Sequence, residues 1–110
     1  MTACFVNPGP LKSWYVYLIE CRDGSVYTGV AIDVDHRYAQ HVAGKGARYT
    51  RAHPPLRLLA RFACDDRAAA CRAEYAVKQL SAVQKRALCE DASLFGLLVS
   101  PAITTGQRPV

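Results

Sequence analysis

The chain has 110 residues, 51% of them hydrophobic, 21% charged, with a net charge of +5. That is the composition of one modest globular domain, with no apolar run long enough to span a bilayer and no basic, apolar start of the signal-peptide kind; a cytoplasmic protein is expected. Five cysteines, an odd number with no C-x-x-C pair, argue against a disulfide framework or a zinc site and for small buried hydrophobes.

"NPGP" at 7–10 marks a loose N-terminal arm over 1–12. "WYVYLIEC" (14–21) is aromatic and β-branched and predicts a strand. "RDGS" carries a hairpin signal, and "VYTGVA" (26–31) is the return strand. Two registers are open. A two-residue loop at Asp23-Gly24 puts Tyr17 and Tyr27 on opposite faces. A three-residue loop, with Gly24 in the left-handed position, pairs Cys21 with Ser25 and puts both phenols on one face.

The period then changes. Asp33 is a candidate N-cap, and Val34, Tyr38 and Val42 form an apolar stripe on a short helix over 34–42. Arg37 and His41 fall on another face, one turn apart. "AGKGARYTRAHPP" (43–55) reads as a loop. "LRLLARFAC" (56–64) is a third strand. Asp65 or Asp66 caps a helix through "RAAACRAEYAVKQL", and Ser81 with Gln84 resembles a capping box opening a third helix over "AVQKRALCED". The remainder, 92–110, is an apolar and then Gly/Pro-rich tail that packs on the domain, meets a protein partner or frays. The order β-β-α-β-α-α predicts an α+β fold, a small three-stranded antiparallel sheet with helices packed against it.

Charge is unevenly placed. Between His36 and Arg61 lie Arg37, Lys45, Arg48, Arg51, Arg57 and Arg61 with no Asp or Glu. Such a stretch draws a polyanion, or it is a solvated surface whose acids come from elsewhere.

"YVY" at 15–17, then "YTG" at 27–29, then Arg37 and His41, then a helical Glu at 74 form an ordered set. Together they resemble the GIY-YIG nuclease superfamily, over residues 13–91 and most closely its small stand-alone bacterial members. "GKGARYT" and "RAEYAVKQLSAVQK" fit the same subfamily. The first motif has Tyr15 in place of its Gly, the second has Thr28 for Ile, and Val30 stands where some members carry Lys.

The resemblance implies a metal-dependent endonuclease that hydrolyses DNA phosphodiesters with little sequence preference, on single-stranded or branched DNA. Tyr17 or Tyr27 would hold or deprotonate water, a nearby cation such as Arg37 favouring the phenolate. Arg37 would fork onto phosphate oxygens. His41 would orient or deprotonate water, or bind phosphate when protonated. Glu74 would bind Mg²⁺ or Mn²⁺, an ion that needs only one or two carboxylates. Lys45, Arg48, Arg51 and Lys78 would contact the nucleic acid, with Gly44 and Gly46 admitting phosphates close to the loop, and Tyr49 could stack on a base. Each has a plainer reading: strand packing for the tyrosines, an Arg37–Asp33 surface pair, a polar helix-face His41, a Glu74–Lys78 ion pair. The competing function is a non-catalytic or partner-dependent nucleic-acid-binding module.

Overall fold

The structure, a computed structural model, describes residues 13–99. The expected arm at 1–12 and the end of the tail at 100–110 lie outside the described residues. Three strands, β1 (Trp14–Cys21), β2 (Val26–Ala31) and β3 (Pro55–Cys64), form an antiparallel sheet in the order β2-β1-β3. The expected α+β class is the observed one.

β1 is central and covered on both faces, which explains its unbroken apolar run. Val16 and Leu18 face one side, where they pack with Phe62 and with Ala70, Ala73 and Val77 of α3 (Arg67–Lys78). Tyr17, Ile19 and Cys21 face the other, where Val34 of α1 (Val34–Val42) closes over them with Tyr15, Tyr27 and Tyr38. The first layer is a conventional core. The second is aromatic, and it holds the candidate site.

The hairpin takes the three-residue loop. Cys21 N–H donates to the Ser25 carbonyl at 2.9 Å, Ile19 pairs with Tyr27, and Gly24 has φ +90°. Asp23 fixes the turn by accepting from the Ser25 amide and hydroxyl. Tyr17 therefore sits opposite Gly29, on the same face as Tyr27.

Two helices lie where none was expected. α2 (Arg48–Ala52) occupies part of the segment read as a loop, and α5 (Ser93–Val99) begins the tail. Phe95 of α5 is buried and stacks on Phe62 with ring centroids 4.4 Å apart, so this part of the tail packs on the domain. α4 (Ala82–Glu90) starts at Ser81 with a full capping box, and Asp66 rather than Asp65 caps α3.

The apolar stripe predicted for α1 needs correction. Val42 is exposed, whereas His41 is buried beside Val34. At 3.6 residues per turn, the seventh residue on returns to within about 20° of the first, while the eighth overshoots by about 80°. Val34 and His41 thus share the inward line. Of the four described cysteines, all free, Cys21 is buried as expected but Cys71 is exposed. Among the described residues, no helix is long and apolar enough to cross a membrane.

Candidate active site

β1 and β2 present Tyr17 and Tyr27 side by side, with ring centroids 6.3 Å apart. α1 enters immediately after β2, capped by Asp33, whose carboxylate accepts from the His36 amide. Asp33 is thereby occupied as a cap, and Arg37 instead donates to Gln40 Oε1 at 2.9 Å. One turn further, the His41 ring lies 5.8 Å from Tyr17 and 5.1 Å from Tyr27 by centroids. Its Nε2 is 2.8 Å from the Tyr17 hydroxyl oxygen, and its Nδ1 is 2.7 Å from Thr50 Oγ1. Tyr17, His41 and Thr50 are each at most 2% exposed.

Two glycines make this closeness possible. A Cβ on Gly29 would stand 2.5 Å from the Tyr17 Cζ and hydroxyl oxygen. A Cβ on Gly46 would run into the His41 ring, 2.8 Å from its Cε1 and Cγ. The space beside Gly46 is thus filled by an imidazole, which corrects the expectation that this glycine admits a phosphate. Gly44, at φ +81°, turns the chain there without crowding.

Burial sets the protonation states. Desolvation, followed by the neighbouring Tyr27, pushes the Tyr17 phenol up to about 12, against the opposing pull of Arg37. Tyr27 is also raised, chiefly by burial, with Lys78 and Arg37 pulling it down. Burial and then Arg37 hold His41 below its ordinary value. The expectation that a nearby cation would favour a phenolate is therefore outweighed, because desolvation is the larger effect. At neutral pH the pair is a protonated phenol against a neutral imidazole.

Glu74 stands on α3, which packs on the opposite layer. Its side chain is 24% exposed and pairs with Lys78 at 3.3 Å, the plainer reading of this residue. Its carboxylate still raises both phenols, which brings it into the neighbourhood of the aromatic site. Among the described residues no group of three His, Cys, Asp or Glu could cage a metal ion. A single, largely buried carboxylate with about a quarter of its side chain exposed is a donor set suited to a divalent ion that keeps most of its water.

Lys45, Arg48 and Arg51 are exposed. Arg48 and Arg51 point outward from α2 while Thr50 of the same helix points in. Tyr49 stacks against Tyr27 and His53, with centroids 5.8 and 4.2 Å away, and His53 pairs with Asp23. It is thus packed on its neighbours while remaining partly exposed. Thr50, Gln40 and this ring stack escaped the sequence reading. For Thr50 and Tyr49 only the "GKGARYT" string pointed to the segment, and it pointed to DNA.

The family described as the GIY-YIG catalytic domain matches residues 13–87. A UPF0213 protein of Cupriavidus pinatubonensis is 51% identical over 78 residues, 71% of this chain and 87% of its own length. Another from Halobacterium salinarum is 50% identical over 74 residues, 67% of this chain and 96% of its own. The solution NMR structure of protein EF2693 from E. faecalis superposes with a TM-score of 0.53 at 34% identity, covering 76% of this chain and 88% of that one.

Proposed function

The chain belongs to the GIY-YIG catalytic-domain family, and from that premise we propose that it is a metal-dependent endonuclease hydrolysing DNA phosphodiester bonds. The observation that carries the reading is the buried 2.8 Å contact between the Tyr17 hydroxyl and His41 Nε2, with Tyr27 and Arg37 beside it. A phenol held near 12 is a poor base by itself. It becomes competent when its proton has somewhere to go. Tyr17 takes a proton from the attacking water as its own proton passes to His41 Nε2, so neither group need ionise alone in the buried layer. Tyr27 orients the water or the phosphate. Arg37 forks onto non-bridging oxygens, where charge builds as the bond breaks. Glu74 would hold Mg²⁺ or Mn²⁺, and the ion would supply neutralisation of charge on the phosphate and the leaving oxygen.

Lys45, Arg48, Arg51 and Lys78 hold the nucleic-acid backbone, contacts that position without reading sequence. Little sequence preference and a single-stranded or branched substrate follow by analogy with the family.

The test is cleavage by purified protein of single-stranded, duplex, nicked and branched DNA with Mg²⁺ or Mn²⁺. Glu74→Ala should abolish cutting yet shift stability by only about 0.3–0.5 kcal/mol, the worth of a partly exposed i,i+4 pair. Salt-dependent binding without cleavage in every form, unaffected by Glu74→Ala, would replace the enzyme with a binding module.

A further inference from the structure

The segment 44–50 is unused by the mechanism above except for its outward cations, yet its inward side is the most tightly built part of the site. Gly46 abuts the His41 ring, and Thr50 reaches its Nδ1. We propose that Thr50 is a positioning residue that fixes the tautomer of His41, holding the proton on Nδ1 so that Nε2 presents a lone pair to Tyr17. This rests on the nuclease reading for its purpose but not for its geometry.

The number of protons available limits the direction of each bond. Thr50 Oγ1 has two neighbours, His41 Nδ1 at 2.7 Å and the Ala47 carbonyl at 3.1 Å. A hydroxyl has one proton. A carbonyl can only accept, so if Thr50 donates to Ala47 its oxygen is free to accept from Nδ1–H. The opposite assignment has Thr50 donate to Nδ1, and then Nε2–H must donate to Tyr17. In that case the Tyr17 proton needs another acceptor. The phenol is buried, its hydroxyl is hydrogen-bonded to His41 Nε2, Arg37 beside it is a donor only, and Glu74 acts on it through charge rather than a hydrogen bond. The first assignment gives both hydroxyls and both ring nitrogens a partner, with Tyr17 O–H to Nε2, Nδ1–H to Thr50 and Thr50 O–H to Ala47, and gives up only the longer Ala47 amide contact.

The Ala47 amide also points at Nδ1, at 3.4 Å. That is long for a hydrogen bond; the 2.7 Å contact fits either direction of donation, and the proton of the buried Tyr17 decides. The placement of Thr50 is itself cheap in sequence terms. A Thr within a helix readily bonds back to the carbonyl three residues earlier, which orients the hydroxyl lone pairs towards the approaching imidazole. Gly46 keeps the loop low enough for that helix to sit against the ring.

The consequence resembles a known logic of catalytic imidazoles, in which the partner of the far nitrogen decides what the near one can do. Without the hydroxyl, Nδ1–H is a buried donor with nothing to meet. The ring relieves this by moving the proton to Nε2, where it faces the Tyr17 oxygen and blocks the relay.

The experiment uses the full chain labelled with ¹⁵N-histidine, free of DNA, at neutral pH. Two-bond ¹⁵N–¹H couplings report which His41 nitrogen carries the proton. The parent is expected to be protonated on Nδ1, Thr50→Val to shift towards Nε2, and Thr50→Ser to keep the parent pattern. A parent protonated on Nε2 overturns the proposal, and so does a Thr50→Val spectrum unchanged from the parent. Because no cleavage is involved, a protein that cuts nothing sinks the nuclease reading and leaves this result standing. In the cleavage assay Thr50→Val should lower kcat about 10- to 100-fold with KM held within about twofold, and Thr50→Ser should restore it. A rise in KM at unchanged kcat overturns the positioning role. If Thr50→Val fails to fold, the parent spectrum and the Thr50→Ser pair still decide.

Discussion

Gly29→Ala is the sharpest perturbation the site offers, because it adds one methyl group and removes nothing. The new Cβ would lie 2.5 Å from the Tyr17 Cζ and hydroxyl oxygen, and ordinary contact begins at 3.4 Å. The ring must therefore retreat by about 0.9 Å, in a packed layer that resists such movement. Any retreat of that size stretches, compresses or bends the 2.8 Å contact with His41. Overpacking of this kind costs about 1–3 kcal/mol, and a domain of this size loses about 4–8 °C of Tm per kcal/mol. Misplacing a reacting group by about 1 Å costs on the order of 100-fold in rate. Gly24→Ala is the control. Its added Cβ meets nothing within 4 Å, but φ +90° strains an alanine there by about 1–2 kcal/mol. Thermal melts by circular dichroism and cleavage rates at saturating DNA should separate the two: both variants melt earlier, and only Gly29→Ala loses rate. Parent-like cleavage by Gly29→Ala, at temperatures where it is folded, would refute the claim that the Tyr17–His41 contact is what the glycine protects.

Three further outcomes follow from the charges of the site. His41 is held below its ordinary pKa of 6.5 by burial, so the unfolded chain binds its proton more readily; the stability it contributes is present above about pH 6.5 and drains as pH falls through the lower folded value, and the acid limb of kcat/KM should likewise lie below 6.5. Tyr17 runs the other way: its stabilising contribution is complete below pH 10 and is lost as pH rises towards about 12, which urea melts across both ranges would show, a flat acid range counting against a buried neutral His41. Replacing Lys45, Arg48 and Arg51 together by Ala should weaken DNA binding and reduce the salt slope by about 3, roughly one per phosphate contact, with kcat at saturation unchanged; an unaltered slope would remove these residues from the nucleic-acid interface.

What could be read in advance was whatever is decided locally. The caps at Asp33 and Ser81, the strand runs and the α1 bounds all follow from side chains acting on their own backbone. The hairpin register was narrowed to two choices, and the turn chemistry of Asp23 with a left-handed Gly24 settled it. What escaped was whatever depends on distant partners. α2 has five residues and no side-chain cap, so little in its own sequence announces it; its ring stack and the Thr50–His41 contact tie it to the site. α5 gains its place through Phe95 on Phe62, a contact across more than thirty residues of chain. The protonation states escaped for the same reason. Arg37 was legible as a cation one turn from His41, but the depth at which the phenol lies is a property of the folded layer.

That depth has a use consistent with the proposed chemistry. An ionised phenolate or imidazolium waiting in the aromatic layer would bear a desolvation cost of several kcal/mol at all times. A neutral phenol against a neutral imidazole bears none of it. Moving one proton along the 2.8 Å contact creates both charges at once, adjacent and of opposite sign, where the low dielectric makes their attraction strongest. Arg37, beside the phenol, favours the negative member of that pair, and its effect on His41 opposes the positive one. Arg37 therefore acts on the two members of the pair in opposite senses, and its effects largely cancel across a proton transfer that creates both charges. In the proposed mechanism a phosphate on the guanidinium would remove both effects together, so Arg37 would serve the phosphate without setting the direction of the proton.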